Sequence, residues 1–411
     1  MRKVFPLGSV TLAATLLAAP NIGHLSAYAN TLDGLIPDLY SGLDVVSREL
    51  VGFIPSVARA PSAERAMKGQ NVVYHVAPDA TAYDIVPSMQ VGNPTDKTVA
   101  AGFINISKSR GSSFGFTGEE QRGLNTGPGH LSVQADLFAQ ALRVLTNEIE
   151  ADLAVEAAAN ASRAWGTPGT TPFGTNTGET AQIRKILDDN GAPASGRSLV
   201  INTTAGAALR TLSQLTKVNE AGTSMTLRQG ELLDLNGLSV KETGQPVENT
   251  AGTGALATTD TAGYAVGATT INLASAGTGT ILAGNAITFA GDSNKYMVVT
   301  GDGDVSDGGS VVIAAPGLRK AIPTSATAIT VGGTYAANVG FSNNALHLVT
   351  RAPALPNEGD LAIDRLMITD PRSGLVFEVT LWAGQRMVKA EVAIAWGYKA
   401  NKREHIAMLL G

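Results

Sequence analysis

The sequence predicts an α+β fold: a long helix, an α/β domain, and a small β-barrel inserted into that domain. Three observations carry this. Between 132 and 163, Phe138, Leu142, Leu145, Ile149 and Leu153 keep one face apolar at helical spacing. Between 182 and 240, helical and strand patterns alternate. Between 243 and 340, the composition turns to Gly, Ala and Thr, with short β-prone runs separated by turn residues.

The chain has 411 residues, enough for two or three compact domains at about 150 residues each. Hydrophobic residues are 44%, and Gly 46 with Pro 18 stays below the roughly 25–30% that marks low-complexity disorder, so the chain folds. Charged residues are only 16%, against about 25% in an average soluble domain. Either Ser, Thr and Asn cover the surface or neighbouring molecules bury much of it. The net charge of -5, with no Lys/Arg run, argues against tight nucleic-acid reading. Cys 0 removes disulfides, thiolate metal sites and a Cys nucleophile, and leaves the compartment open.

In chain order, Arg2 and Lys3, the apolar run 10–19 and Ala27-Tyr28-Ala29 match a secretory signal, too short to span a bilayer. Leu35, Ile36, Leu39, Leu43, Val46, Leu50 and Phe53 recur every three or four residues, as in a docking helix. The stretch 60–89 carries prolines and short β-prone pieces and reads as an extended arm with little core. Phe103 to Ile106 and Ser113 to Phe116, with polar 108–111 between them, read as a protruding β-hairpin. The long helix follows, expected over 132–163 and ended by Gly166 and Pro168. Its acids Glu148, Glu150, Asp152 and Glu156 lie in the C-terminal half, where the helix dipole disfavours them, so packing must hold it.

A second helix is expected over 182–190, a buried strand over 198–201 and another helix over 204–215. Barrel strands are expected at 269–273, 286–289, 296–300, 310–313 and 328–331. Strand texture returns at 346–349 and 374–380, and 387–396 alternates Val388, Ala390, Val392, Ile394 and Trp396.

No residues nominate a catalytic, cofactor or metal site. The five histidines are scattered, without zinc-ligand spacing. Asp302, Asp304 and Asp307 superficially match a calcium loop, but the closing Glu is missing and strands flank the segment, so a hairpin turn is the better reading. Glu119-Glu120 and Asp188-Asp189 are adjacent in sequence, which does not place two acids across a glycosidic bond. Gly252-Thr253-Gly254 and Gly277-Thr278-Gly279 lack the Lys-Ser/Thr of a phosphate loop and read as barrel turns.

Several longer motifs stand out: Ala29-Asn30-Thr31-Leu32-Asp33-Gly34-Leu35-Ile36-Pro37, Ser47-Arg48-Glu49-Leu50-Val51-Gly52-Phe53-Ile54-Pro55, Gly118-Glu119-Glu120-Gln121-Arg122-Gly123-Leu124-Asn125, Lys185-Ile186-Leu187-Asp188-Asp189-Asn190-Gly191-Ala192-Pro193 and Thr369-Asp370-Pro371-Arg372-Ser373-Gly374-Leu375. With these motifs in this order, the chain from about Ala29 to Gly411 resembles the major capsid (coat) proteins of tailed phages, specifically the coat family of a short-tailed Salmonella phage.

The resemblance implies the Hong Kong ninety-seven-type capsid fold, with an N-terminal arm at 29–98, an extended β-hairpin loop at 99–130, a peripheral domain with a spine helix at 131–180, an α/β axial domain at 181–242, the inserted barrel at 243–340 and return strands at 341–411. It implies a non-enzymatic role without cofactors: pentamers and hexamers of an icosahedral shell around double-stranded DNA, without sequence-specific binding or membrane contact. Scaffolding and portal proteins are the implied partners. Assembly would be in the host cytoplasm and the final location the virion, which sets the signal-like residues 1–28 against export and favours a start assigned upstream of the true one. Subunit contacts are expected at Arg48, Glu49, Lys108, Arg110, Glu119, Glu120 and Arg122. Two rivals are a secreted β-rich adhesion protein, which the long helix opposes, and a carbohydrate-active enzyme using Glu119 or Glu120.

Overall fold

The alternation along Met387–Ala400 buries Ala390, Val392, Ile394 and Trp396 on one face, and this strand is the centre of a six-stranded sheet. In the computed structural model, residues 51–76, 82, 87, 100–124, 130–212, 234–370 and 374–411 are described. One side of the central strand pairs antiparallel with Lys108–Thr117. On the other side, its N-terminal part pairs with Val376–Gly384 and its C-terminal part with Leu346–Pro353. Ala362–Thr369 and Ala58–Ala66 extend the sheet outward, the latter parallel to Leu346–Pro353.

The long helix, His130–Ala159, packs on this sheet. Phe138, Ala141, Leu142, Leu145, Ile149, Leu153 and Ala157 are buried in one core with the inward face of the central strand. Thirty residues at 1.5 Å each make it about 45 Å long. It ends at Ala159 rather than at 163: the Glu156 carbonyl takes both the Asn160 backbone N–H at 3.2 Å and its side-chain amide at 2.8 Å, and the Ser162 N–H turns to the Ile406 carbonyl at 2.9 Å instead of continuing the helical ladder. Arg163 has by then entered a strand, Arg163–Gly166.

The second sheet is centred on Tyr335–Ser342, antiparallel to both Ile406–Leu410 and Arg197–Asn202. Every residue of Arg197–Asn202 is buried, and Leu238–Thr243 runs parallel beside it. Helices Gly178–Asp189 and Thr203–Thr211 supply Ile183, Ile186, Leu187, Ala205 and Leu209 to the core that covers this sheet. Among the described residues of 178–243, helix, strand, helix and strand thus alternate.

At its other side the sheet passes through Arg163–Gly166, parallel to Ile406–Leu410, into Lys295–Thr300. From there the strands run Gly309–Ile313 and Thr270–Leu273 in one direction, Ala286–Phe289 and Ile329–Val331 in the other. The segment 257–260 joins the two ends: Thr258 bridges Ala328 and Thr259 bridges Leu273. These strands enclose a separate core of Ile271, Ile287, Phe289, Tyr296, Val311, Ile313 and their neighbours.

Two expectations are corrected. The runs 103–106 and 113–116 do not pair with each other. Ala100–Asn105 pairs antiparallel with Asn71–Val76, and Lys108–Thr117 lies on the central strand. The reason is hydrogen bonding and burial: Gly69 donates to the Ile106 carbonyl at 2.8 Å and Ile106 donates to the Gln70 carbonyl at 2.9 Å, which uses up 103–106 on the earlier strand. Phe114 meanwhile reaches Phe138 edge-on, with ring centroids 4.8 Å apart. The segment 60–76 also has more structure than a coreless arm, since Ala58–Ala66 is a sheet strand and Arg65 makes a bidentate pair with Glu378 at 2.8 and 2.9 Å. The signal-like stretch, the docking helix up to 50, and Arg48 and Glu49 lie outside the described residues.

Candidate functional site

The four carboxylates set against the dipole of the long helix are where the parts of this fold converge. Glu150 is 0% exposed. Its Oε1 accepts the backbone N–H groups of Gly52 at 2.6 Å and Phe53 at 2.8 Å, and its Oε2 accepts that of Ile54 at 3.0 Å. Burial pushes its pKa up, and the three N–H bonds oppose that rise. Phe53, stacked on Phe341 with centroids 5.9 Å apart, and Ile54 are buried beside it. Lys241 donates to Ser56 Oγ at 3.0 Å; burial lowers its pKa, Arg59 lowers it further, and Asp234 and Glu150 oppose the shift.

Two turns of helix carry the next contacts. Lys108 Nζ lies 3.0 Å from Glu148 Oε1 and 2.9 Å from Asp152 Oδ1, and 5.8 Å from the centroid of the Trp396 ring. Burial would lower the Lys108 pKa, but the bonds and charges of Asp152 and Glu148 outweigh it and raise the pKa. Arg110 Nε stands 3.3 Å from Glu148. The other oxygen of Asp152 accepts the buried Trp396 indole N–H at 2.9 Å, and Glu156 accepts the Ala400 backbone N–H at 2.9 Å. One helix therefore fastens the 52–54 turn, the strand Lys108–Thr117 and the central strand through its acids.

The paired strands Asn71–Val76 and Ala100–Asn105 rest on the same sheet. Ile104 and Ile106 pack with Val349 and Ala395, and Tyr74 stacks on His347 with centroids 6.0 Å apart and planes 15° from parallel. Lys399 Nζ donates to the Phe103 carbonyl at 3.1 Å. Burial lowers the His347 pKa, opposed by a hydrogen bond to the Asn344 backbone. Val73 and Phe103, cross-strand partners, are 52% and 50% exposed, and the long helix presents Val144 and Val155 outward.

Of the residues singled out in the sequence, Lys108 and Arg110 reach the acids of their own chain's long helix. Glu119, Glu120 and Arg122 are exposed on the short helix Gly118–Leu124. Thr117 and Glu120 form a reciprocal cap: Glu120 Oε2 accepts the Thr117 N–H at 2.8 Å, and Thr117 Oγ1 accepts the Glu120 N–H at 3.2 Å. The Thr117 backbone bond, then its hydroxyl, lowers the Glu120 pKa. The Thr-x-x-Glu spacing is a sequence signature of this cap. Glu119 lines an open cavity of about 700 Å³ with Phe116, Gln121, Arg386 and Met387, and among its described lining residues no second carboxylate faces it. Asp302 and Asp304 accept turn N–H groups from Asp304 and Ser306, at 2.9 and 3.0 Å.

Glu150, Asp152, Lys241 and Trp396 were not among the expected site residues; the signal for the two acids was their unfavourable place on the helix. Among the described residues, no group of three or more His, Asp or Glu is placed to hold a metal ion, and no helix is long and apolar enough to cross a membrane.

Neither a protein-family model nor a curated protein matches the chain. Among solved structures it is similar to the capsid of Cyanophage P-SCSP1u, at 12% identity over 88% of each chain with a TM-score of 0.45. It is also similar to a chain of Mycobacterium phage Che8, at 12% identity over 84% of this chain and 85% of that one, TM-score 0.41. A virus-like particle from Pyrococcus furiosus matches at 11% identity over 91% of this chain and 98% of that one, TM-score 0.41. Likenesses this distant carry no weight of their own for what the chain does.

Proposed function

We propose that the chain is the major capsid protein of a tailed bacteriophage or prophage, with the Hong Kong ninety-seven-type fold, and that copies of it form the pentamers and hexamers of an icosahedral shell around double-stranded DNA. The observation that carries this reading is the division of the apolar surface. The long helix and its carboxylates hold the 52–54 turn and the sheet rigidly, while Val73, Phe103, Val144 and Val155 stay open to solvent. Sister copies that cover such surfaces remove apolar area from water at about 25 cal/mol per Å², and the 16% charged composition suits extensive burial between subunits.

In this reading 29–98 is the N-terminal arm, its strand Asn71–Val76 paired with Ala100–Asn105 of the extended loop at 99–130, and the ring of strands within 243–340 is the inserted barrel. The short-tailed Salmonella phage coat family is the proposed relative, with scaffolding and portal proteins as partners, assembly in the host cytoplasm and a non-enzymatic role. Arg48, Glu49, Lys108, Arg110, Glu119, Glu120 and Arg122 are the proposed subunit contacts, Lys108 and Arg110 being residues that also pair with acids of their own long helix. Replacing Glu119 and Arg122 together by Ala tests the contacts: shell yield by sedimentation drops while circular dichroism of the subunit is unchanged. Undiminished shell yield contradicts the assignment of these residues.

A further inference from the structure

One end of the six-stranded sheet gathers exposed apolar side chains from the strands that finish there. Ala362 is paired with Trp382, Gly384 with Met387 and Met387 with Thr117, so the start of Ala362–Thr369, the turn 384–387 and the end of Lys108–Thr117 lie side by side. Leu361 is 91% exposed, Ile363 49% and Met387 44%. Covering such side chains removes apolar area from water, which favours association.

Leu361 sits on a pinned turn. Gly359, at a φ of 81°, donates to the Pro356 carbonyl at 3.0 Å, and Asp360 accepts the Ala362 N–H at 3.1 Å and the Arg365 guanidinium at 2.6 Å. The leucine is therefore presented in place before a partner arrives, which lowers the ordering cost of binding. At the same sheet end opens the cavity of about 700 Å³ lined by Phe116, Glu119, Gly384, Arg386 and Met387. Its wall is held as well, since the Gly118 N–H donates to the Arg386 carbonyl at 3.0 Å. Leu361 does not reach this cavity in its own chain: two strands separate Ala362–Thr369 from Lys108–Thr117, three spacings or about 14 Å. The charges are complementary. Glu358, exposed on the Leu361 turn, has no ion-pair partner among the described residues, and neither has Arg386 at the cavity rim. Glu119 is the one acid among the described lining residues, and Arg122 lies on its own short helix.

We propose that a second copy of this chain docks head-to-tail at this sheet end, Leu361 and Ile363 of one copy entering the cavity beside Met387 of the next, with Glu358 against Arg386. The inference rests on the reading that copies assemble, and adds which two surfaces meet. Every copy carries both the turn and the cavity, so the contact is heterologous: it repeats from copy to copy and closes a ring where the rotation closes.

With Cys 0, an introduced thiol is the only one in the chain. The test co-expresses full chains carrying Leu361→Cys with differently tagged full chains carrying Met387→Cys, then oxidises them or adds a short bismaleimide, which tolerates wider spacing than a disulfide. The expected product is a mixed dimer, in about fivefold or greater excess over that of either variant alone and over that of Val266→Cys, a residue 62% exposed within 243–340, with Met387→Cys. Adding Arg386→Glu to the Met387→Cys chain should lower the mixed product about fivefold, and Glu358→Arg in the Leu361→Cys chain should restore it. All of these side chains are exposed, so the fold is preserved. Closed shells in electron microscopy without the mixed product overturn the head-to-tail contact and leave the capsid reading standing, whereas dispersed monomers without it overturn both. An equal yield from Leu361→Cys alone overturns the heterologous arrangement.

Discussion

Glu150 and Phe53, 97 residues apart in sequence, meet at 2.8 Å, the backbone N–H of Phe53 donating to the carboxylate in the core. With the Gly52 and Ile54 bonds, this one side chain satisfies three consecutive backbone donors that enter the sheet from the N-terminal direction. Replacing Glu150 by Ala leaves three buried N–H groups without acceptors, each worth about 1 kcal/mol or more. Glu150→Ala is expected to lose about 3 kcal/mol in urea unfolding and to become sensitive to proteolysis near residues 52–57 first. Unchanged protection of that turn contradicts its dependence on Glu150.

Gly397 is the place where the paired strands press closest on the sheet. A Cβ there would lie 2.1 Å from the Asn105 carbonyl oxygen and 3.1 Å from Ile106 Cα, and both are backbone atoms that no rotamer change can move aside. Gly397→Ala is expected to cost about 1–3 kcal/mol. Hydrogen exchange should quicken in residues 100–106 while 138–157 of the long helix stays protected. Equal protection in both segments would contradict this seating.

His347 sets the direction of an acid effect. Its pKa is lowered in the folded chain from the ordinary 6.5, chiefly by burial. The unfolded chain therefore takes up the proton first, so the stability His347 contributes is whole above 6.5 and is lost as pH falls through the interval down to the folded pKa. His405, whose pKa burial also lowers, acts with the same sign. His347→Phe keeps a ring against Tyr74 and removes one titrating group. Its unfolding free energy should decline less than that of the parent chain as pH falls below 6.5, and an identical decline rules His347 out as a contributor.

The long helix and the central strand could be read from the sequence because each is patterned by a buried face. Phe138 to Leu153 repeats at the helical period, and Val388 to Trp396 at the period of a strand. Pairing was harder to read. Alternation along 103–106 tells which side chains face inward and nothing of which strand lies alongside, so although 71–76 is itself β-prone, its pairing with 100–105 left no local trace. The acids of the helix are similar: Glu150 and Asp152 showed only as charges in an unfavourable half, because Gly52 and Trp396, their partners, are 98 and 244 residues away. The Thr117–Glu120 cap was readable from its spacing, and it explains Glu120 as the end of a helix before any role at a subunit contact.

The central claim is that sister copies of this chain complete one another. Electron microscopy with sedimentation velocity on the expressed full chain, alone and with a co-expressed scaffolding protein, tests it most directly. The account predicts closed, uniformly sized shells in at least one of the two preparations, with the Val73 and Phe103 surface buried between subunits. Dispersed monomers in both preparations at high concentration would contradict it.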